Sequence, residues 1–594
     1  MSEKKLINLT IDGRRLQVEE GTTILEAARH LGIRIPSLCY HPDLSLPGAC
    51  RVCIVDVKDM GFYMASCSVQ VWEGMEVQTN SPEIREARRD IVELLLDNHP
   101  KECQTCERDG NCELQNLAYA LGVRERLFEG ERKDFPCDDS SYSVVREPNK
   151  CILCGRCVRV CSEIQGVTNL GRHGRGFRTV VSPAHGARMD ESVCIQCGQC
   201  VAVCPTAAFL EKDNTDDVWA ALADPSRHVV VQTAPAIRAT IGEGFGLPPG
   251  TTNTGRMVAS LRLLGFDGVF DTNFGADLTI VEESAEFLRR LNGQGPLPML
   301  TSCSPGWINF LEKFYPQLIP LASTCRSPMS MTSVLLKTYY AQSRGIDPRN
   351  IYVVAVMPCV AKKYEARRPE HYMAEGIPWT DAVLTTRGLI WMIKSYGIDL
   401  WTLQSIDFDN FPRETFDDPL GISSGAADIF GTTGGVMEAT LRTAVARLGE
   451  DPGRLDFHEV RAVEGLREAT VQIAGREIRV AVANGLVNAA TILDEIVRGE
   501  KQYHIVEIMA CPGGCIGGGG QPYPPRGMKA MDPELLALRA QALHAIDGQK
   551  TLRRSHENPA IQRLYADFLG EIGGPKAHEL LHTRYAPKLP RGIR

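Results

Sequence analysis

Cysteine spacing dominates the chemistry open to this chain. Cys151, Cys154, Cys157 and Cys161 follow C-x2-C-x2-C-x3-C, and Cys194, Cys197, Cys200 and Cys204 repeat it with Pro205 behind. Three thiolates on one tight loop cap three irons of a cubane while the fourth residue starts a helix and reaches the other cluster, so the repeat predicts two [4Fe-4S] clusters. By that crossing one cluster takes Cys151, Cys154, Cys157 and Cys204, and the other takes Cys161, Cys194, Cys197 and Cys200. Structural zinc sites would usually pair thiols two by two instead.

Two further sets lie upstream. Cys39, Cys50, Cys53 and Cys67 make C-x10-C-x2-C-x13-C, which resembles the plant-type ferredoxin arrangement for a [2Fe-2S] cluster with a stretched first gap. His99, Cys103, Cys106 and Cys112 form H-x3-C-x2-C-x5-C. Alone, an imidazole with three thiolates suits zinc as well as iron and sulfur. Between a ferredoxin-like unit and a two-cubane unit, a third [4Fe-4S] electron carrier is the coherent reading. Cys137 fits no pattern and is read as a structural or surface thiol.

The other five cysteines fall in three stretches and one outlier: "TSCSPGW" with Cys303, "MPCVAKKYE" with Cys359, "EIMACPGGCIGGGGQP" with Cys511 and Cys515, and "LASTCRSP" with Cys325. The glycines around Cys511 and Cys515 let bulky inorganic sulfur approach backbone closely. Lys362, three residues after Cys359, can set a fixed positive charge beside an anionic cluster. Glu283, Glu286 and Arg290 share one face of a helix at their spacing. Without the neighbouring motifs that stripe would read as a solvated charged face.

The elements that must position these groups are legible in outline. "KLINLTIDGRRLQVEEGTTILEAARHLGI" alternates apolar residues around an Asp-Gly turn and then starts a helix at a Thr23-x-x-Glu26 capping box, the opening of a small mixed domain. In "SPEIREARRDIVELLLDNHP", Ser81 caps a helix, Pro82 takes its first position, and Ile84, Ala87, Ile91 and Leu94 form its apolar stripe. Beyond about residue 225 the strand-like runs "HVVVQTA", "IYVVAVM" and "IRVAVANG" alternate with helical stretches, a large α/β unit. After "QPYPPRG", "ELLALRAQALHAI" and "PAIQRLYADFL" read as helices of a short C-terminal appendage. "GEGFGLPPG" lacks the spacing of a dinucleotide-binding turn and reads as a loop.

Length and charge agree with such a chain. At 594 residues several domains are required. With 65 Lys+Arg against 73 Asp+Glu and no basic block, nucleic acid is not an expected partner. No apolar run approaches a membrane span and the N-terminus has no signal-peptide core, so a cytoplasmic protein is expected. There thiols stay reduced, and 21 cysteines point to metal rather than disulfides.

Together the three C-terminal stretches resemble the signatures of [FeFe]-hydrogenases. The resemblance extends over essentially the whole chain, including "SGAADIFGTTGGVMEA" and the tail "RRSHENPAIQRLYADFLGEIGGPKAHELLH", similar to that family's small-subunit-like extension. It implies a multidomain α/β protein: a β-grasp [2Fe-2S] ferredoxin-like domain at 1–78, a [4Fe-4S] domain with one histidine and three cysteine ligands at 79–136, a ferredoxin-like domain with two [4Fe-4S] clusters at 137–215, a catalytic domain at 225–535 and the extension at 536–594. The implied cofactor is the H-cluster, a [4Fe-4S] cluster joined through one cysteine sulfur to a two-iron unit carrying CO, cyanide and a dithiolate.

Carried over by motif, Cys359, Cys511 and Cys515 are cluster ligands, with Cys515 bridging to the two-iron unit. Lys362 binds one cyanide, Ala234 and Pro235 of "QTAPAIR" seat the other, and Met357, Pro358 and Met509 line the pocket. Protons pass from Cys303 through Glu283, Ser323 and Glu286, with Arg290 near the exit. A thiol suits the innermost step because its pKa is tunable toward neutrality. Many family members have a second cysteine where this chain has Ser304, so one ligand is missing. The expectation is a swap in which Cys325 supplies the fourth thiolate; a Ser304 alkoxide, or Cys303 recruited at the expense of proton transfer, are the alternatives.

The Cys-Ser variant with Cys325, and with Met329 after "RSP", further resembles catalytic subunits of multimeric NAD(P)-linked hydrogenases, some electron-bifurcating. Flavin and nicotinamide chemistry is then expected on a partner subunit, alongside a small iron-sulfur subunit, with ferredoxin as an additional or alternative carrier. A stand-alone ferredoxin-linked hydrogenase and a non-catalytic sensory or electron-transfer homologue are the rivals. The N-terminal third alone would match an iron-sulfur subunit of respiratory complex I or a formate dehydrogenase; the three C-terminal motifs exclude that for the whole chain.

Overall fold

The computed structural model describes residues 5–124, 128, 130–400, 414–449, 455–461, 465–473 and 475–588. Strands Leu6–Ile11 and Arg14–Glu19 form the expected hairpin, with Asp12 and Gly13 both at positive φ in its turn. The helix Ile24–His30 begins at the Thr23/Glu26 capping box, both reciprocal hydrogen bonds being present. Leu6–Ile11 pairs in parallel with Met75–Gln78 at the middle of a five-stranded sheet, and Ile54–Val57 and Met64–Ala65 complete it. Cys53 and Cys67 are part of its apolar core with Ile11, Ile24 and Val55.

The helix Pro82–Asp97 starts at Ser81 and Pro82 as expected, but its buried ridge is Ile84, Arg88 and Val92. Leu94, assigned to the stripe from sequence, is 51% exposed. The reason is the neighbour: Arg88 donates to the Ile54 carbonyl at 2.5 Å, and Val92 packs on Leu38, Val52 and Leu114.

The cysteine repeat is also a structural repeat. Gly155 and Gly198, at φ of 73° and 75°, precede the short helices Arg156–Arg159 and Gln199–Val203. Leu153 and Gln196 take positive φ at matching places, which turns their amides to donate to Cys151 and Cys194 sulfur at 3.4 Å.

Two four-stranded sheets build the large unit. One is wholly parallel, in the order Gly268–Asp271, His228–Thr233, Ile351–Met357, Ala382–Thr385. The other runs Met299–Leu300, Ile505–Met509, Arg476–Asn484, Leu466–Ile473, with only the last pair antiparallel. The helix Thr272–Leu291 contributes to three apolar clusters, through Phe274 and Leu278, Ala276 and Ile280, and Phe287. The C-terminal helices are not the separate appendage expected from sequence. Pro533–Gln549 packs Leu536 and Leu543 on Ala236 and Ile516, and Asp547 pairs with the fully buried Arg442 at 2.9 Å. Ile561, Leu564 and Leu581 share a core with Phe274 and Leu278. Among the described residues no helix is long and apolar enough to cross a membrane.

Candidate active site and cluster sites

The N-terminal thiols gather into sets. Cys39 accepts hydrogen bonds from Cys50 and Cys67, which hold its thiol well below the ordinary range, and Cys67 also meets Cys53. His99, Cys103, Cys106 and Cys112 line one cavity with Arg108 and Lys150. Cys161, Cys194, Cys197 and Cys200 line another. Burial pushes the Cys157 thiol up, and Cys154, Cys151 and Cys204 push it further, which places these four together. Cys137 is exposed and belongs to none of the sets.

The sets are also joined to one another. Arg159 donates to the Cys39 carbonyl at 2.6 Å, tying the first set to the repeat. Cys112 and the amide of Glu113 both reach the Pro205 carbonyl, at 3.7 and 2.9 Å, tying the set around His99 to the residue after Cys204. On the other side, Gln165 donates to the Ala510 carbonyl at 2.8 Å and Gln199 to the Gly517 carbonyl at 3.1 Å. Gly198 and Gly519 approach backbone to backbone, so that a Cβ at Gly519 would lie 2.7 Å from the Gly198 carbonyl oxygen.

The C-terminal pocket forms just beyond the carboxyl ends of parallel strands, where open α/β sheets place their ligands. Ala234 and Pro235 follow His228–Thr233, Pro358 and Cys359 follow Ile351–Met357, Cys511 follows Ile505–Met509, and Cys303 follows Met299–Leu300. Burial is the main cause raising the Cys359, Cys511 and Cys515 thiols, Cys515 to about 12. Cys359 adds to both Cys511 and Cys515, and Lys362 opposes the shift at Cys359 and Cys515, so thiols and cation share one space. Lys362 also donates to the Cys303 carbonyl at 3.2 Å and pairs with Glu365 at 2.5 Å. Met357 and Met509 are each 3% exposed; Met509 belongs to the apolar cluster on which Cys303 packs, and Met357 shares a cluster with Ala234 and Met329.

This donor set suits an iron-sulfur cofactor. Soft thiol donors, neutral until a metal displaces their protons, sit buried or half-buried with the Lys362 cation nearby. The loop carrying them is glycine where it must be: a Cβ at Gly514 would lie 2.8 Å from the Thr433 amide, and one at Gly517 would lie 2.0 Å from the Pro512 carbonyl oxygen.

Cys303 leads away from the pocket to the helix Thr272–Leu291. Burial and the Glu283 carboxylate are the first causes that raise its thiol. Glu283 is 1% exposed and its carboxyl is pushed up to about 8, by burial first and by Glu286 second, with Ser323 opposing the shift. Ser323 also donates to Glu286 at 3.0 Å, and Arg290 holds the other Glu286 oxygen at 2.5 Å. The stripe is therefore buried and linked, not a solvated face.

The structure corrects the expectation for Cys325. Its thiol faces Glu286 at 3.8 Å, the charges acting most on it are Glu286, Glu283 and Glu282, and its backbone bridges His582. Ser304 instead stands at the pocket, its Oγ accepting from the amide of Ala510, next to Cys511, at 3.4 Å. The sequence reading also missed Glu507. It is fully buried, accepts from the Gly434 and Met437 amides at 2.7 Å, and is pushed up to about 7 by burial. It bears on both Cys303 and Cys515. A charged residue in the apolar run "IVEIM" was the available signal.

Comparison with known proteins accords with this geometry. Residues 227–519 match the family described as iron only hydrogenase large subunit, C-terminal domain, and residues 533–588 match iron hydrogenase small subunit. Residues 4–82 match a 2Fe-2S iron-sulfur cluster binding domain, 88–126 the NADH-ubiquinone oxidoreductase-G iron-sulfur binding region, and 150–208 a 4Fe-4S dicluster domain. The chain belongs to the [FeFe]-hydrogenases and is an enzyme of that class. Within the family it is 47% identical to the NADP-reducing hydrogenase subunit HndD of Solidesulfovibrio fructosivorans, over 98% of this chain and 99% of that one. It is 40% identical to iron hydrogenase 1 of Clostridium pasteurianum, over 97% and 99%. A solved [FeFe]-hydrogenase variant from Chlamydomonas reinhardtii aligns with a TM-score of 0.55 at 42% identity, covering 63% of this chain and 98% of that chain.

Proposed function

We propose that this chain is the catalytic subunit of a cytoplasmic, multimeric NAD(P)-linked hydrogenase that interconverts H2 with two protons and two electrons. The observation that carries the reading is the convergence of the three motif loops: Cys359 and Cys511 follow parallel strands, Lys362 donates to the Cys303 carbonyl at 3.2 Å, and Ser304 accepts from the Ala510 amide beside Cys511 at 3.4 Å. An H-cluster bound there supplies the redox chemistry of H2. Cys359, Cys511 and Cys515 hold it, Lys362, Ala234 and Pro235 seat its cyanide ligands, and Met357, Pro358 and Met509 keep the space dry. Ser304 occupies the fourth ligand position.

Cys303, Glu283, Ser323 and Glu286 move protons, a role supported by the Ser323–Glu286 hydrogen bond of 3.0 Å. One [2Fe-2S] and three [4Fe-4S] clusters, held by the four N-terminal ligand sets, carry electrons to a flavin- and NAD(P)-binding partner, with a small iron-sulfur subunit alongside. The five units proposed from the sequence, with bounds near 78, 136, 215–225 and 535, are retained. The similarity to an NADP-reducing hydrogenase subunit over nearly the whole chain supports the partner assignment.

Native co-purification tests it: flavin and NAD(P)H-dependent H2 formation are expected. Isolation as a flavin-free monomer with full ferredoxin activity would overturn the partner. For the ligand, Cys325→Ser should keep its cluster iron and electron paramagnetic spectrum while Ser304→Ala loses both; the opposite pattern restores the Cys325 swap.

A further inference from the structure

The buried route described above stops at Glu286, which is 6% exposed, and its ion-pair partner does not continue it. Arg290 spends its guanidinium on Glu286 at 2.5 Å and on the Leu321 and Ala322 carbonyls at 2.8 Å each. A guanidinium is not deprotonated in proteins, so Arg290 holds Glu286 in place without passing a proton. The groups beside Glu286 that can both take and give one are the Thr324 hydroxyl and the Cys325 thiol.

Thr324 leads outward. Its Oγ1 lies 3.3 Å from Glu286 Oε2 and 2.8 Å from His582 Nδ1, and His582 Nε2 lies 3.2 Å from Glu282 Oε2. Two backbone hydrogen bonds clamp the His582 segment there, Arg326 N to Leu581 O at 2.8 Å and Thr583 N to Thr324 O at 2.7 Å. His582 is 4% exposed, and the exposed His578 stacks on it with ring centroids 4.6 Å apart and planes 6° from parallel. Imidazole is the side chain whose ordinary titration range matches physiological pH, and its two nitrogens let it accept on one side while releasing on the other.

We propose that the C-terminal segment supplies the outer end of the proton route: Glu286 exchanges its proton through the Thr324 hydroxyl with His582, and His582, 4% exposed beside the exposed His578, is where the route meets water. In H2 oxidation Glu286 gives its proton to Thr324 Oγ1 as the Thr324 hydroxyl proton passes to His582 Nδ1; in H2 formation both transfers reverse. No other reactant is required. Cys325, Glu286 and His582 also place ligand atoms within 4.8 Å of one another, which suggests a metal site. Both His582 nitrogens and both Glu286 oxygens already have hydrogen-bond partners, so the relay accounts for them without an ion.

The inference rests on the proton-transfer reading of Glu283 and Glu286, and the test separates the two. In the holoenzyme with an artificial one-electron donor, Thr324→Val and His582→Gln should each slow H2 formation about tenfold or more and raise the solvent isotope effect. The carboxyl infrared band removed by Glu286→Gln should shift in Thr324→Val. Added imidazole should restore His582→Ala, which a merely structural role would not allow. Parental rates and an unshifted band in Thr324→Val and His582→Gln, with Glu283→Gln inactive, would overturn the exit while leaving the inner route standing. Slow His582 variants that imidazole does not restore, with a parental Thr324→Val, would also overturn it. A fully active Glu283→Gln would remove the underlying reading itself.

Discussion

The two-cubane unit and the catalytic pocket both gather buried and half-buried thiols, but they do so by different means. In the first, 54 consecutive positions from Cys151 to Cys204 carry every thiol, and the same turn is used twice. In the second, Cys303, Cys359, Cys511 and Cys515 come from three separate segments brought together at the ends of parallel strands in two sheets. A locally encoded cage is specified by its loop. A pocket assembled by the fold depends on every element that aligns the strands.

The largest effect should come from swapping a thiol in each region. Cys511→Ala should abolish H2 turnover while the N-terminal cluster spectra persist. Cys154→Ser should lose signal from one cubane, yet retain much of the turnover driven by a small donor that reaches the pocket cluster directly. Equal loss in both variants would show that the two regions fold as one unit. Next, Glu283→Gln should lower turnover by about 10² to 10⁴ with the cluster spectra unchanged, because it removes a buried proton acceptor and leaves the packing intact.

Smaller effects sharpen the same contrast inside the repeat. A Cβ on Gly198 would sit 2.6 Å from the Val360 Cβ, against the catalytic domain, whereas one on Gly155 would meet only the end of the Arg172 side chain at 2.8 Å. Both glycines are at positive φ, so each alanine carries the same backbone strain. Thermal unfolding should therefore show Gly198→Ala less stable than Gly155→Ala by about 1–3 kcal/mol, the cost of overpacking.

The last contrast concerns pH. Burial pushes the Glu283 carboxyl up to about 8 in the fold against roughly 4.3 unfolded, so the folded state holds the extra proton between those values. Its contribution to stability is complete below the unfolded value and is lost as pH rises through the folded one. Denaturant titrations should show Glu283→Gln losing less stability than the parent between about pH 5 and 8, by up to roughly 1.4 kcal/mol per pH unit.

What was legible follows the same division. The Asp12-Gly13 turn, the Thr23 capping box, the Ser81-Pro82 helix start and the cysteine repeat all stand in the structure because each depends on residues a few positions apart. The misreadings are long-range. Leu94 lost its place to Arg88 because a sheet edge, absent from helical periodicity, offered the Ile54 carbonyl. Cys325 turned toward Glu286 because His582, more than 250 residues later, pairs with its backbone. Glu507 went unnoticed because nothing nearby in sequence announces the Gly434 and Met437 amides that hold it. The C-terminal helices looked separable because their apolar faces do not reveal that Ala236 and Ile516 cover them.

The close approach around Gly198 and Gly519 has a consequence for electrons as well as for packing. Tunnelling between redox centres weakens steeply with the gap between them, and side chains are what usually widen it. Here the gap is kept narrow by omission: a Cβ at Gly519 would lie 2.7 Å from the Gly198 carbonyl oxygen, so only glycine lets the two backbones meet. In the proposed relay, Gly198 and Gly519 bring backbone against backbone where the second cysteine loop meets the loop of Cys511 and Cys515.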